Sequence, residues 1–355
     1  MTQEVQTAVV GVTGYAGAEL ARLLLRHPRL HDFPPVFAGR LDEKDAARGG
    51  VALSSIHPQL GNNNGLRDLK LEPFSWELLA ERGVKVLFLA TPHEQSREWV
   101  PQALEHGMRV IDLSGAWRLK DPANRAIYAF HDDGSASAAG TQAQAVYGLP
   151  ELHRAQIADA KLVANPGCYA TSVILALRPL VAAGVVDLDA GIIADAKSGV
   201  SGAGKAPTAK THYMHAADNL SAYAVFSHRH TGELLEQIGI RGNEIVFTPH
   251  LLPIPRGILS TIYVRFHKPQ SHESILHLYR EFFANSPMVR LYEEMLPQIQ
   301  YSAHTNYADI GFQLGPDGRR AVIVSCLDNL LKGASGQAVQ NLNVMLGWGE
   351  AEGLQ

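Results

Sequence analysis

Cysteine is scarce: Cys168 and Cys326 are the two in a chain of 355 residues. Two are too few for a disulfide framework, so the chain reads as cytoplasmic, from a reducing compartment, with at least one free thiol. Long apolar runs are lacking too. The most apolar stretch, residues 172–186, is broken by Arg178 and Pro179, and residues 1–7 carry Glu4 but no basic or apolar leader segment. Neither a secretion signal nor a membrane span is expected. A large excess of either charge is also absent. A formal net charge of −4 offers no general attraction to nucleic acid or to an anionic membrane. Repeats, low-complexity tracts and long charge runs are missing. What remains, 46% hydrophobic and 19% charged residues, is the composition of an ordered protein of two domains with a small-molecule partner.

Short β-branched runs alternate with helical patterns from the start. Residues 5–10 read as a strand, and residues 18–26, with Leu20, Leu23 and Leu24 on one face, as a helix. The rhythm repeats with a strand at 84–89, a helix at 94–106 and a strand at 109–113, as a doubly wound parallel sheet with crossover helices requires. After about residue 150 the strands lengthen, at 191–197, 244–247 and 258–267, with long Gly/Pro-rich connections, so an α+β second domain is expected. Residues 333–346 have a helical pattern with Ala338, Leu342 and Met345 spaced to pack onto a formed surface. The domain reading is therefore residues 1–165 with 333–355 as a dinucleotide-binding domain, and 166–332 as a catalytic domain.

Gly11-Val12-Thr13-Gly14-Tyr15-Ala16-Gly17 closes the first strand and opens the first helix. There glycine lets the backbone approach a pyrophosphate at a helix N-terminus, so a nicotinamide dinucleotide is the expected cofactor. The next strand ends near residues 36–39, where the acidic residue that would hold a free ribose 2′-hydroxyl is missing and Arg40 follows. This favours NADP(H), with Asp42 as the nearby residue that argues the other way.

Asn165-Pro166-Gly167-Cys168-Tyr169-Ala170-Thr171 lies between an apolar strand at 161–164 and an apolar helical run at 172–180, which places Cys168 at a helix N-terminus. That location favours thiolate over thiol and offers N–H donors to an oxyanion, as covalent catalysis needs. Cys326, inside residues 321–327, reads as a buried apolar side chain. His228-Arg229-His230, before another helix start, supplies imidazoles for proton transfer. The other histidines lack ligand spacing, so no metal is expected. Arg229 faces either a substrate anion or solvent. Gly199-Val200-Ser201-Gly202-Ala203-Gly204-Lys205-Ala206 nearly matches a P-loop but ends in Ala206, which has no hydroxyl for Mg²⁺. Its N–H groups and Lys205 suit instead a substrate phosphoryl group or departing inorganic phosphate.

These segments, with Tyr147-Gly148-Leu149-Pro150-Glu151 and Asp328-Asn329-Leu330-Leu331-Lys332-Gly333-Ala334-Ser335-Gly336-Gln337, occur in an order that resembles N-acetyl-γ-glutamyl-phosphate reductases, of the aspartate-semialdehyde dehydrogenase-like superfamily. The resemblance runs nearly end to end. It implies a Rossmann domain, a mixed-sheet catalytic domain, NADP(H), self-association and a step of arginine biosynthesis. It implies Cys168 as nucleophile and His230 or His228, with His230 preferred, as acid/base. Cofactor contacts are expected from Gly11, Thr13, Gly14, Tyr15, Ala16, Gly17, Arg40, Thr91, Pro92, Ser198, Gly199 and Asn329. Substrate contacts are expected from Ser114, Arg118, Asn165, Ser201, Gly202, Lys205 and Arg229. The chain departs from the family at Gly115-Ala116-Trp117, where Ala-Asp-Phe is usual.

Three rivals remain in the sequence. A paralogous aminoadipyl-phosphate reductase of lysine biosynthesis, with a substrate longer by one methylene and in some cases carried on a protein, has nearly the same motifs. A short-chain dehydrogenase would need Tyr-x-x-x-Lys, which the chain lacks. A dinucleotide-binding protein without catalysis would not need Cys168 or the His pair.

Overall fold

The computed structural model describes residues 4–60, 69–130 and 136–355. The first three residues of the segment read above as free of a leader lie outside them. Thr-Ala-Val-Val at Thr7–Val10 is buried throughout, as befits a central strand covered on both faces. A helix, Tyr15–Arg26, follows at once and buries Leu20, Leu23 and Leu24. This unit seeds an eight-stranded sheet in the order Val51–Ala52, Lys70–Pro73, Val36–Gly39, Thr7–Val10, Val86–Leu89, Arg109–Asp112, Leu162–Ala164, Ala145–Tyr147. All its pairings are parallel except that of the short edge strand Val51–Ala52. The order reverses beside Thr7–Val10, which opens a crevice at the carboxyl ends of the strands.

The second sheet has seven strands and is mixed. Its order is Ser221–Ala222, Ile245–Leu252, Ile192–Gly199, Ile258–Arg265, Arg320–Leu327, Ala308–Leu314, Val289–Tyr292. Alternate residues, Ile192, Ala194 and Ala196 on one strand and Ile258 and Ile262 on its neighbour, face inward. They meet the helix Cys168–Ala182, whose residues Tyr169 to Leu177, Pro179 and Leu180 are all buried. A helix apolar all round belongs inside a protein, and this one lies under the second sheet while its first residue leaves the end of the first.

Two elements differ from the sequence reading. The strand expected at 244–247 runs on as Ile245–Leu252 through Pro249. Proline is tolerated there because only the two-residue strand Ser221–Ala222 lies on its outer side. The helix expected from residue 333 begins instead with a wide turn, Leu331–Ser335, and becomes regular at Gly336–Met345. All ten residues of the regular part are buried. Ala338, Val339 and Leu342 join the core of Val9, Leu20 and Leu24, so the end of the chain packs onto the first sheet's helices.

Leu175 is fully buried in the central helix. Leu175→Ala leaves a cavity between the layers, and urea unfolding is expected to show a loss of about 2–5 kcal/mol with an unchanged slope.

Candidate active site

The strand Leu162–Ala164 ends at Asn165, and the chain turns through Pro166 and Gly167 into the helix Cys168–Ala182. Gly167, in extended conformation, is the residue before the first helical turn and offers no side-chain cap. The turn's free N–H groups are therefore left for other partners. Gly167 donates its N–H to Glu233 Oε2 at 2.9 Å. Cys168 is half-buried. Burial pushes its thiol up to about 11, the N–H groups of Tyr169 and Cys168 and the charge of Arg118 pull it down, and Glu233 pushes it up. The helix-end donors favour the thiolate as expected, but burial outweighs them, so the group is held toward the thiol.

His230 lies against this turn. A Cβ on Gly167 would stand 2.4 Å from His230 Nε2, so the glycine makes room for the imidazole. Burial, with His228, Arg118 and Arg229, holds His230 well below its ordinary value, and its Nδ1 is buried with no hydrogen-bond partner. His228, lowered to about 4 by burial and by Arg229, accepts the backbone N–H of His230 on its Nδ1 at 3.1 Å. The two rings meet edge to face at 4.7 Å. Neutral imidazole beside a neutral thiol is an acceptor beside a donor, as general-base catalysis requires.

Cys168, His228 and His230 share a cavity of about 240 Å³ with Tyr169, Ser198, Gly199, Gly202, Ala203, Thr208, Lys210, Thr211, Ser221, Tyr223, Arg229 and Leu251. Among the described residues, two cations line it and no carboxylate does. The strand Ile192–Gly199 and the turn Val200–Ala203 carry one wall onward toward the first sheet. Asn329 Nδ2 donates to Ser201 Oγ at 2.8 Å, and Lys205 Nζ donates to Thr13 O at 3.1 Å, inside the glycine turn. That turn is built by close approach. A Cβ on Gly11, at φ +96°, would stand 2.3 Å from Ala90 O, and one on Gly17 would stand 2.1 Å from Gly11 O. Gly14, the residue before the helix, has open space beyond Gly11 O, and Ser335 Oγ donates to Ala16 O at 2.7 Å. These residues fit a dinucleotide phosphate at a helix N-terminus.

Two family models divide the chain between them. The semialdehyde dehydrogenase NAD binding domain matches residues 6–160, and the semialdehyde dehydrogenase dimerisation domain matches residues 168–329. The N-acetyl-γ-glutamyl-phosphate reductase of Shouchella clausii is 40% identical over 99% of this chain and 98% of its own. That of Dehalococcoides mccartyi strain CBDB1 is 42% identical over 99% and 97%. The chain belongs to the N-acetyl-γ-glutamyl-phosphate reductase family. Among solved structures, aspartate semialdehyde dehydrogenase II of Vibrio cholerae, complexed with ASA, matches with TM-score 0.69 and 18% identity over 97% of this chain and 99% of that one. The Francisella tularensis aspartate semialdehyde dehydrogenase matches with TM-score 0.65 and 14% identity over 96% and 100%. At such identities they share the fold. The semialdehyde dehydrogenase fold and a nicotinamide-binding domain are thereby established.

For a reductase of this family, the structure gathers Cys168, His228, His230, Ser198, Gly199, Gly202 and Arg229 at one cavity. It removes others from it. Arg118 is buried and spends its guanidinium on Asn165 O at 2.7 Å, Leu113 O at 2.9 Å and Glu233 Oε1 at 3.1 Å. Asn165, also buried, donates to Ala334 O and accepts from Asn341. Both were expected to touch substrate; here both brace the turn and neither lines the cavity. Ser114 Oγ donates to buried Asp112 at 2.7 Å. Lys205, expected on a substrate phosphate, lies on the glycine turn, and Ser201 is held by Asn329. Thr91 Oγ1, beyond the strand Val86–Leu89, is buried without a partner, and Pro92 precedes the helix His93–Glu105. Tyr15 is exposed beside the glycines.

The sequence reading missed Lys210, Thr208, Thr211 and Tyr223, which sit in a connection with no recognisable motif. Their one signal is position, between the glycine loop and the His pair. Among the described residues no group of three or more His, Cys, Asp or Glu side chains could hold a metal, and no helix is long and apolar enough to cross a membrane.

A thiol at about 11 ionises late. Alkylation of Cys168 by iodoacetamide, followed by mass spectrometry, is expected to accelerate through pH 9 and reach no plateau by pH 10. A plateau near pH 8 would refute the protonated resting state.

Proposed function

We propose that this protein reduces N-acetyl-γ-glutamyl phosphate to N-acetylglutamate semialdehyde with NADPH, through a thioester on Cys168, in arginine biosynthesis. The observation that carries the reading is the cavity itself. A thiol at a helix N-terminus faces a neutral histidine in a chamber lined, among the described residues, by two cations and no acid, which suits a substrate with both a phosphate and a carboxylate. The relatives' names supply the substrate; the chamber supports its chemistry.

Cys168 Sγ attacks the acyl carbon as its proton passes to His230, and the carbon–oxygen bond to phosphate breaks, leaving a thioester. The N–H groups of Cys168 and Tyr169 face the oxyanion, since that of Gly167 is already given to Glu233. A nicotinamide held by the glycine turn would supply the hydride that reduces that carbon. As the carbon–sulfur bond breaks and the aldehyde leaves, protonated His230 returns its proton to sulfur. His230 is the acid/base, because His228 Nδ1 is engaged by the backbone of His230. Lys210 and Arg229 hold the substrate's anionic ends, and Lys205, Gly199 and Asn329 belong to the wall shared with the cofactor.

The preference for NADP(H) is supported by Arg40, exposed just beyond the strand Val36–Gly39. Asp42, the possible ribose ligand, is occupied: its carboxylate accepts Asp45 N–H at 2.8 Å and caps the helix Glu43–Ala47. The protein is further read as cytoplasmic and self-associating, with residues 1–165 and 333–355 as the cofactor domain and 166–332 as the catalytic domain. Ile193, Val246 and Tyr263, exposed together on the outer face of the seven-stranded sheet, support association through that face.

The deciding assay is phosphate-dependent reduction of NADP⁺ with N-acetylglutamate semialdehyde. Cys168→Ser is expected to lower kcat by at least about a thousandfold. Turnover with only the aminoadipate-derived aldehyde would transfer the protein to lysine biosynthesis, and turnover with neither would end the enzyme reading. Arg40→Glu is expected to raise KM for NADP⁺ roughly tenfold or more, a loss of about 1.4 kcal/mol in binding, while leaving NAD⁺ kinetics within twofold.

A further inference from the structure

Glu233 stands one helical turn after His230 and has no exposed surface. Its carboxylate serves three parts of the chain at once. Oε2 accepts the N–H of Gly167 at 2.9 Å and the hydroxyl of Tyr147 at 2.7 Å. Oε1 accepts Arg118 Nη1 at 3.1 Å, and Arg118 in turn holds Asn165 O and Leu113 O. The residue before the nucleophile and the turn that carries the histidine are thus tied to one side chain. Oε1 also lies 4.0 Å from His230 Nε2, too far for a hydrogen bond but near enough for charge to matter.

A buried ion pair is a poor way to stabilise a fold, because desolvation cancels most of its attraction and apolar side chains of similar size commonly do as well. The location of this pair gives it another use. Gly167 must remain without a side chain to admit His230, so the turn has no cap of its own, and Glu233 supplies one from the histidine's own helix. When the proton leaves Cys168 for His230, the new imidazolium forms beside a carboxylate that cannot move away.

We propose that Glu233 is the positioning residue of this site, which locks the cysteine turn to the histidine turn and supplies the counter-charge for protonated His230. This rests on the reading of Cys168 and His230 as the reacting pair. Arg118 and Tyr147 act through Glu233: they fix its two oxygens and touch neither sulfur nor imidazole by hydrogen bond.

The test compares Glu233→Gln, which keeps the shape and loses the charge, with Glu233→Asp, which keeps the charge and shortens the reach. In the reverse assay, Glu233→Gln is expected to lower kcat about a hundredfold with KM for aldehyde and NADP⁺ within threefold, and to move the acid limb of the kcat–pH profile to lower pH. Glu233→Asp is expected to keep the wild-type limb at a reduced kcat. A kcat within twofold of wild type for Glu233→Gln would overturn the proposal, as would equal displacement of the limb in both variants, which marks simple loosening. If Glu233→Gln fails to melt cooperatively, the double variant Arg118→Met/Glu233→Gln removes the orphaned cation: slow turnover with normal KM supports the role, and full recovery of kcat overturns it. Retained activity in Cys168→Ser alone would instead overturn the thioester reading, so the two failures are separate.

Discussion

The helix Cys168–Ala182 has no face to spare for water, and that constraint organises the molecule. Its middle is enclosed by the inward rows of the second sheet, so its first turn emerges at the end of a strand of the first. A buried helix start must find partners for its N–H groups. Here Glu233 takes one, the sulfur of Cys168 is favoured by two more, and the cavity stands over the rest. Folding thus delivers a row of donors to the chamber where an oxyanion would form.

The floor beneath that turn is equally constrained. A Cβ on Gly333 would stand 2.7 Å from the Cβ of Cys168, so the wide turn Leu331–Ser335 presses its backbone against Cys168. That turn is itself anchored. Lys332, fully buried, donates to Glu151 and to Gln340 at 2.7 Å each, and Gln340 donates onward to Glu350. Each buried charge costs several kcal/mol in desolvation before its partner offsets it. Both buried pairs, Arg118 with Glu233 and Lys332 with Glu151, lie within the supports of one cysteine turn.

Much of this was legible in the sequence, and the reasons are physical. Gly11, Gly14 and Gly17 advertise a strand, turn and helix because close backbone approach demands glycine at two of them. Cys168 drew notice because cysteine is scarce and its flanks are a strand and an apolar helix, and His230 because it is paired with His228 before a helix start; the structure brings them to one cavity. The bracing bonds of Arg118 and Asn165 were not legible, because the same polar side chains that bind a ligand also satisfy buried backbone groups, and sequence does not show which way they face. Lys210 and Thr208 were invisible for the opposite reason: they lie in an irregular connection whose path over the cavity depends on long-range contacts. The wide turn at residues 331–335 was hidden because its cause, Asn306 and Cys168 crowding Gly336 and Gly333, is tertiary.

The protonation state of the site is the last link between packing and chemistry. With burial pushing the thiol up to about 11, the sulfur is mostly protonated near neutral pH, and neutral His230 gives it no counter-charge. Such a thiol is protected from casual alkylation and oxidation, since the thiolate is the reactive form. It is also a weak nucleophile until something favours transfer of its proton to His230. The causes that hold His230 neutral are burial, the neighbouring imidazole of His228 and the cations Arg118 and Arg229, so an anion entering the chamber and facing Arg229 cancels part of the opposition. On the proposed reading, a dianionic phosphate would bring that charge to the place where the proton must go. It would favour the imidazolium and equally oppose a free thiolate, so what it eases is transfer of the proton to His230 during attack rather than a resting charge on sulfur.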